Sequence, residues 1–188
     1  SVADNFKISV AEHGATTIST TDAAAIVADL TFSVDGDAFF THTDSHKSLS
    51  IERRKFTRTT NSHHEHNGDV VYFGTGTLTR GHICFLKADA SWADAQANAE
   101  STSTSLLAIS LGTNPATDGM LVRGMYTLDH DIGNDQGVPI YLSDGTAGEA
   151  TATIPADNND VVRVVGYNMG DDDQIWFCPD NTWVVVSA

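Results

Sequence analysis

Two stretches of the chain read as copies of one another. "GHICFLKADASW" from Gly81 and "GVPIYLSDGTAG" from Gly137 each place a glycine before a run of apolar and aromatic residues, then a small polar turn. The match continues with "LLAISLG" (106 to 112) against "VVRVVGY" (161 to 167) and "DGMLVRG" (118 to 124) against "DQIWFCP" (173 to 179). The offset is about 55 residues, the mark of an internal repeat. Each copy offers about three strands, and a single such unit would leave one apolar face bare. Packing of two similar units, about 81–128 and 137–188, therefore predicts a β-sandwich or barrel module over residues 71–188, and an all-β chain.

Residues 1–70 read as a separate β-rich attachment or assembly region. Leu30, Phe32 and Val34 alternate toward one face before Asp35-Gly36, a dipeptide that accepts the positive φ angles of a tight hairpin. Ahead of it, "TDAAAIVADL" reads either as a short helix capped by Asp22 or as a strand through Ile26 and Val27. "SLSIERRKFTRTT" (48 to 60) reads as a polar strand with Leu49 and Ile51 on one side, running into the loop "NSHHEHNGDVVYF".

Charge narrows the partners. At 188 residues the chain carries a formal net charge of -15, which repels nucleic acid and anionic membrane at long range, so neither is expected as a partner. Its ten cations are unevenly spread, with Arg53, Arg54, Lys55 and Arg58 in one short run. That run is the candidate contact for a negative partner surface, the plainer reading being a solvated strand face. Cys84 and Cys178 lie in apolar runs without metal-type spacing and are expected as reduced, buried thiols. The N-terminal "SVADNFKISV" lacks the cationic and apolar segments of an export signal, and no stretch is apolar enough to span a bilayer.

Motifs for acyl or phosphoryl transfer, dinucleotide binding and H-E-x-x-H metal chemistry do not occur, so the expectation is no enzyme, no catalytic residue and no cofactor. The aspartates of "LDHDIGNDQG" (128 to 137) and "GDDDQ" (170 to 174) suit either a glycosidase carboxylate pair or acidic turns, and turn chemistry is the reading adopted. Gly133 falls where an EF-hand loop wants Asp or Asn. His63, His64 and His66 with Glu65 would need a distant ligand such as His42 or His46 to surround a tetrahedral ion. An extended loop would instead turn His64 and His66 to one face, where a three-fold axis could gather imidazoles around one metal. The plainer reading is a solvent-facing loop. Trp92, beside a polar turn, is the candidate glycan contact, whereas Trp176 in "QIWFC" and Trp183 in "TWVVV" read as packed strand residues.

The order of "LLAISLG", "GMLVRG", "DVVRVVGY" and "FCPDNTWV" over about residues 72 to 188 resembles a β module recurrent in virion surface proteins of tailed bacteriophages, on tail fibres and capsid-decoration proteins. The resemblance implies a virion structural protein made in the host cytoplasm, usually a homo-oligomer, with a trimer favoured. It transfers no catalytic residue. With only about seventy residues ahead of the module, a capsid decoration or cement protein bound to the major capsid protein is the expected role. The alternative is a tail or head fibre component that binds a host surface glycan.

Overall fold

The structure is a computed structural model and describes residues 5–11, 16–21, 55–58, 62–133, 135–170 and 173–187. The hairpin expected at 30–41 and the segment 21–30, apart from Thr21, lie outside these residues, as do Arg53 and Arg54. The chain forms two compact units, Ser1–Glu52 and Arg53–Ala188. In the smaller, β1 (Asn5–Val10) and β2 (Thr16–Thr21) pair antiparallel, with Ile8 directly opposite Ile18. Both isoleucines are exposed, Ile8 at 59% and Ile18 at 45%.

The larger unit begins earlier than the expected division at 70/71. Strand β3 (His66–Val71) would be cut by that division, yet it pairs along its length with a central strand of the large unit. Of the strand expected over 48–60, residues 55–58 are described and form none. The strands that follow are β4 (Ile83–Leu86), β5 (Trp92–Asp94), β6 (Leu107–Ser110), β7 (Met120–Thr127), β8 (Pro139–Leu142), β9 (Ala150–Thr151), β10 (Val161–Val162), β11 (Val164–Gly170), β12 (Gln174–Phe177) and β13 (Val184–Val185). A single helical turn, α1 (Glu100–Ser103), lies between β5 and β6. It stays short because the Thr102, Ser103 and Thr104 hydroxyls donate back to the Ala99 and Glu100 carbonyls.

The fold is all-β. Nine strands form one curled antiparallel sheet, a half-barrel, in the order β5-β4-β6-β7-β12-β11-β8-β9, with β3 also on β7. The connectivity occurs twice. In the first half β4 pairs with β5 and β6, and β6 with β7; in the second, β8 pairs with β9 and β11, and β11 with β12. Ile109 faces Leu121 in one half as Gly166 faces Phe177 in the other. Leu86 donates its N–H to the Leu106 carbonyl as Leu142 does to Arg163. The halves join where β7 meets β12. They lie side by side in one sheet instead of stacking as two.

Curling brings the two ends of the sheet together. Residues that follow β5 bond to the β8–β9 connection: Gly148 N to Ala95 O at 2.7 Å and Ala97 N to Ser143 O at 2.8 Å. Period-two alternation then sorts side chains between two clusters. Ile83, Ile109, Leu121, Ile140, Ile175 and Phe177 fill the inner one, shared by both halves. Their neighbours Cys84, Ala108 and Met120 face outward with Leu78 and Trp92. Both cysteines are free, Cys84 buried and Cys178 half-buried.

Two glycines face each other where β3 crosses β7. Gly68 (φ 147°) is the register partner of Gly124 (φ 152°), and a Cβ on either would overlap the opposing backbone. Ala at position 124 would meet both a disfavoured φ and the Asn67 carbonyl. Gly124→Ala is therefore expected to lower unfolding free energy by more than about 2 kcal/mol in urea denaturation. An unchanged midpoint would mean that the crossing has no need of the glycine.

Candidate functional site

A surface cleft is built by the C-terminal segment. After β12 the chain turns at Asp180, whose carboxylate accepts from Thr182 N and Oγ1, both at 2.9 Å. Those bonds hold the Asp180 carboxyl below its usual range. The segment then crosses back so that β13 pairs with β10, and Val186 N bonds to Asp160 O at 2.8 Å. This path lifts Trp183 from the sheet with 40% of its surface exposed. Trp183 lines two neighbouring hollows: a cleft of about 390 Å³ whose lining includes Leu106, Val122, Arg163 and Asn181, and one of about 300 Å³ whose lining includes Tyr141, Val164, Asp180 and Thr182.

Arg163 is the unusual member. It is 3% exposed, and three backbone carbonyls fix its guanidinium: Asp180 O from Nε at 2.8 Å, and Ser103 O and Ser105 O from Nη1 at 2.5 and 2.8 Å. Nη2 makes no hydrogen bond to a described residue, and no described carboxylate forms an ion pair with the group. Burial lowers its affinity for the proton, opposed by the field of Asp180. The guanidinium carbon lies 5.9 Å from the Trp183 ring, within cation–π range. Arg163 replaces Leu106 of the first half in the matched backbone contact, and both side chains line the same cleft, across the seam between halves.

Trp92 and Trp183 reverse their sequence-based assignments. Trp92 is 3% exposed, donates from Nε1 to Phe73 O at 3.0 Å and packs on the Phe73 ring, so it is no glycan contact. The segment after β3 covers it, which the polar turn beside it did not signal. Trp183 is the exposed ring instead. Trp176 is half-buried between Phe56 and the Arg123 guanidinium.

The same packing draws in residues 55–58. Arg58 donates from Nε to Gln174 Oε1, and Asn67 holds Thr57 O at 2.6 Å. Arg58 is thus bound within its own unit, leaving exposed Lys55 as the described member of the basic run without such a tie.

The histidine loop is not extended. His64 has φ 69° at a turn, so it and His66 do not project as alternate residues of one strand. Each ring rests on Tyr126 of β7: His64 Nδ1 is hydrogen-bonded to the phenol at 3.1 Å, and the His66 ring stacks at 6.1 Å. His66 Nδ1 also donates to the His64 carbonyl at 3.0 Å. His63 contacts only the edge of His64 among the described rings. Among the described residues no three His, Cys, Asp or Glu side chains group as metal ligands.

Other polar side chains hold turns. Asp131 accepts from Gly133 N at 2.7 Å and Asp173 from Ile132 N at 3.3 Å. His130 Nε2 accepts the Ala150 N–H at 3.0 Å, which puts its proton on Nδ1, facing Asp129 at 3.3 Å. Burial, aided by the neighbouring Asp94 carboxylate, pushes the Cys84 thiol up, away from the reactive thiolate. Comparison with protein-family models, with curated proteins and with solved structures finds no match.

Sequence reasoning passed over Arg163. Its signal was present: a single cation inside "VVRVV", where a strand of valines has no ordinary use for one.

His64 gives the loop a pH dependence. Burial, with repulsion from Arg80 and His63 and against attraction from Asp129, keeps its imidazole below the ordinary value. The unfolded chain then takes up the proton first, so stability present above about pH 6.5 falls as pH drops below it. His64→Asn keeps a residue that tolerates the left-handed backbone and removes the titration. The drop in melting temperature between about pH 7.5 and pH 5 should shrink in this variant. An equal drop in both proteins would assign the acid sensitivity elsewhere.

Proposed function

We propose that the chain is a non-catalytic surface component of a tailed-phage particle, a capsid decoration protein that adds to the shell by non-covalent contacts. The observation that carries this reading is the division into a small unit bearing a two-stranded ribbon and a large half-barrel unit. The small unit presents an unusual feature for attachment, two isoleucines opposite one another and both exposed on a two-stranded ribbon. Burying them against the major capsid protein would add apolar contact at each of many copies, and repetition over a shell raises the overall hold. In the large unit, His64, His130, Asp131, Asp173 and Asp180 satisfy local backbone or phenol groups, which is the use a rigid scaffold makes of such residues.

The resemblance of residues 72 to 188 to the phage β module agrees with this role. Arg58 is exposed but tied to Gln174, and the exposed isoleucine pair makes the hairpin unit the favoured attachment surface in this reading. In this reading the net negative charge of the chain keeps neighbouring particles apart.

The test uses the full-length chain with procapsids and expanded capsids of the phage whose genome encodes it. Co-sedimentation with expanded shells is expected, and Ile8→Asp with Ile18→Asp should weaken it by about tenfold or more. The melting temperature of the large unit should stay unchanged. Failure to bind shells, or labelling confined to the tail, would overturn the assignment.

A further inference from the structure

The Arg163 guanidinium combines three properties seldom found together: near-complete burial, fixation by three carbonyls, and no ion pair with a described carboxylate. Buried charges are ordinarily paired, because a cation removed from water without a counter-charge is costly. Here the backbone carbonyls supply partial negative charge on the Nε and Nη1 sides, and Nη2 remains for an acceptor from outside. Arg163 lines the cleft, and the exposed Trp183 ring stands beside it.

We propose that the two hollows lined by Trp183 bind a carboxylate-bearing saccharide, with one sugar ring stacked on the indole and its carboxylate received by Arg163 Nη2. The dimensions suit it: about 390 and about 300 Å³ are of the size of small-ligand pockets. The chemistry suits a sugar better than an apolar ligand. A pyranose has a C–H face that packs on a flat indole and a rim of hydroxyls that seek partners.

Each hollow has a rim partner. Asn181 offers an amide in the larger cleft. In the smaller hollow, Asp180 uses Oδ1 for both Thr182 bonds, so Oδ2 can accept from a hydroxyl. The net charge of -15 repels densely anionic chains, so the expected ligand carries an isolated carboxylate among neutral sugars. This site lies in the large unit and does not rest on the mode of shell attachment.

Tryptophan fluorescence and calorimetric titration of the full-length chain test the site, with sialyllactose as probe and lactose as the neutral control. Saturable binding of sialyllactose is expected, with lactose about tenfold or more weaker for lack of the carboxylate. Trp183→Ala removes an exposed ring and should abolish saturation while leaving the melting temperature unchanged. Asn181→Ala removes only a side-chain amide, leaves the backbone carbonyls that hold Arg163 in place, and should weaken binding about threefold or more without affecting folding. Arg163→Lys should keep the charge but lose the fork, and with it the preference over lactose. The assignment is overturned if a panel of carboxylated oligosaccharides shows no binding, if binding survives Trp183→Ala, or if lactose binds equally well. Capture of a peptide by its C-terminal carboxylate, with no saccharide bound, would also overturn it.

Discussion

The larger unit depends on a close approach of two backbones. Strand β7 pairs with β3, β6 and β12, and its contact with β3 passes through the facing glycines Gly68 and Gly124. With side chains at those positions the two strands could not keep their hydrogen-bond spacing. Because β12 is the last strand of the second half, β7 also carries the only strand-to-strand join between the halves among the described residues of the sheet path. The shared inner cluster follows from this join: Ile109 and Leu121 from one half can pack with Ile175 and Phe177 from the other once β7 and β12 lie side by side.

Much of this was readable in the sequence, and what was not has a physical explanation. Alternation in "LLAISLG" and "GMLVRG" identified strands, and the echo in "GVPIYL" identified a second set with the same connectivity. The way the two sets combine was not readable, because a bare apolar face can be covered by stacking or by curling, and the pattern of one strand is the same in both cases. Trp92 and Trp183 show the same limit at single residues. Trp183 lies in a strand-like stretch and Trp92 beside a polar turn, but burial depends on which distant segment crosses the outer face: the stretch through Phe73 covers Trp92, whereas the C-terminal crossing raises Trp183. The histidines were legible as a cluster but not as ring contacts on Tyr126, a residue far along the chain. The boundary was misplaced for a related reason, since the partner of β3 lies about fifty residues away in sequence and local composition does not reveal it.

Polar chemistry in this chain is largely directed inward at its own backbone. Asp131, Asp173 and Asp180 secure turns, and His130 accepts a strand N–H. Such bonds each contribute about 1 kcal/mol and, more importantly, leave few alternative loop conformations. The acidic surface and the rigid loops therefore serve different ends: charge keeps molecules apart, and the bonds keep each loop in one shape. Arg163 differs because its clamp uses only part of the side chain's donor capacity.

A duplicated sheet that had stayed symmetric would offer the same surface twice. This one does not, since Leu106 stands where Arg163 stands in the matched backbone contact, and both open onto a single cleft at the seam. The duplication therefore yields one sidedness per chain instead of two equivalent poles. On the proposed reading of that cleft, the described residues offer one such site per chain, and cross-linking would be set by how many copies are held together and at what spacing.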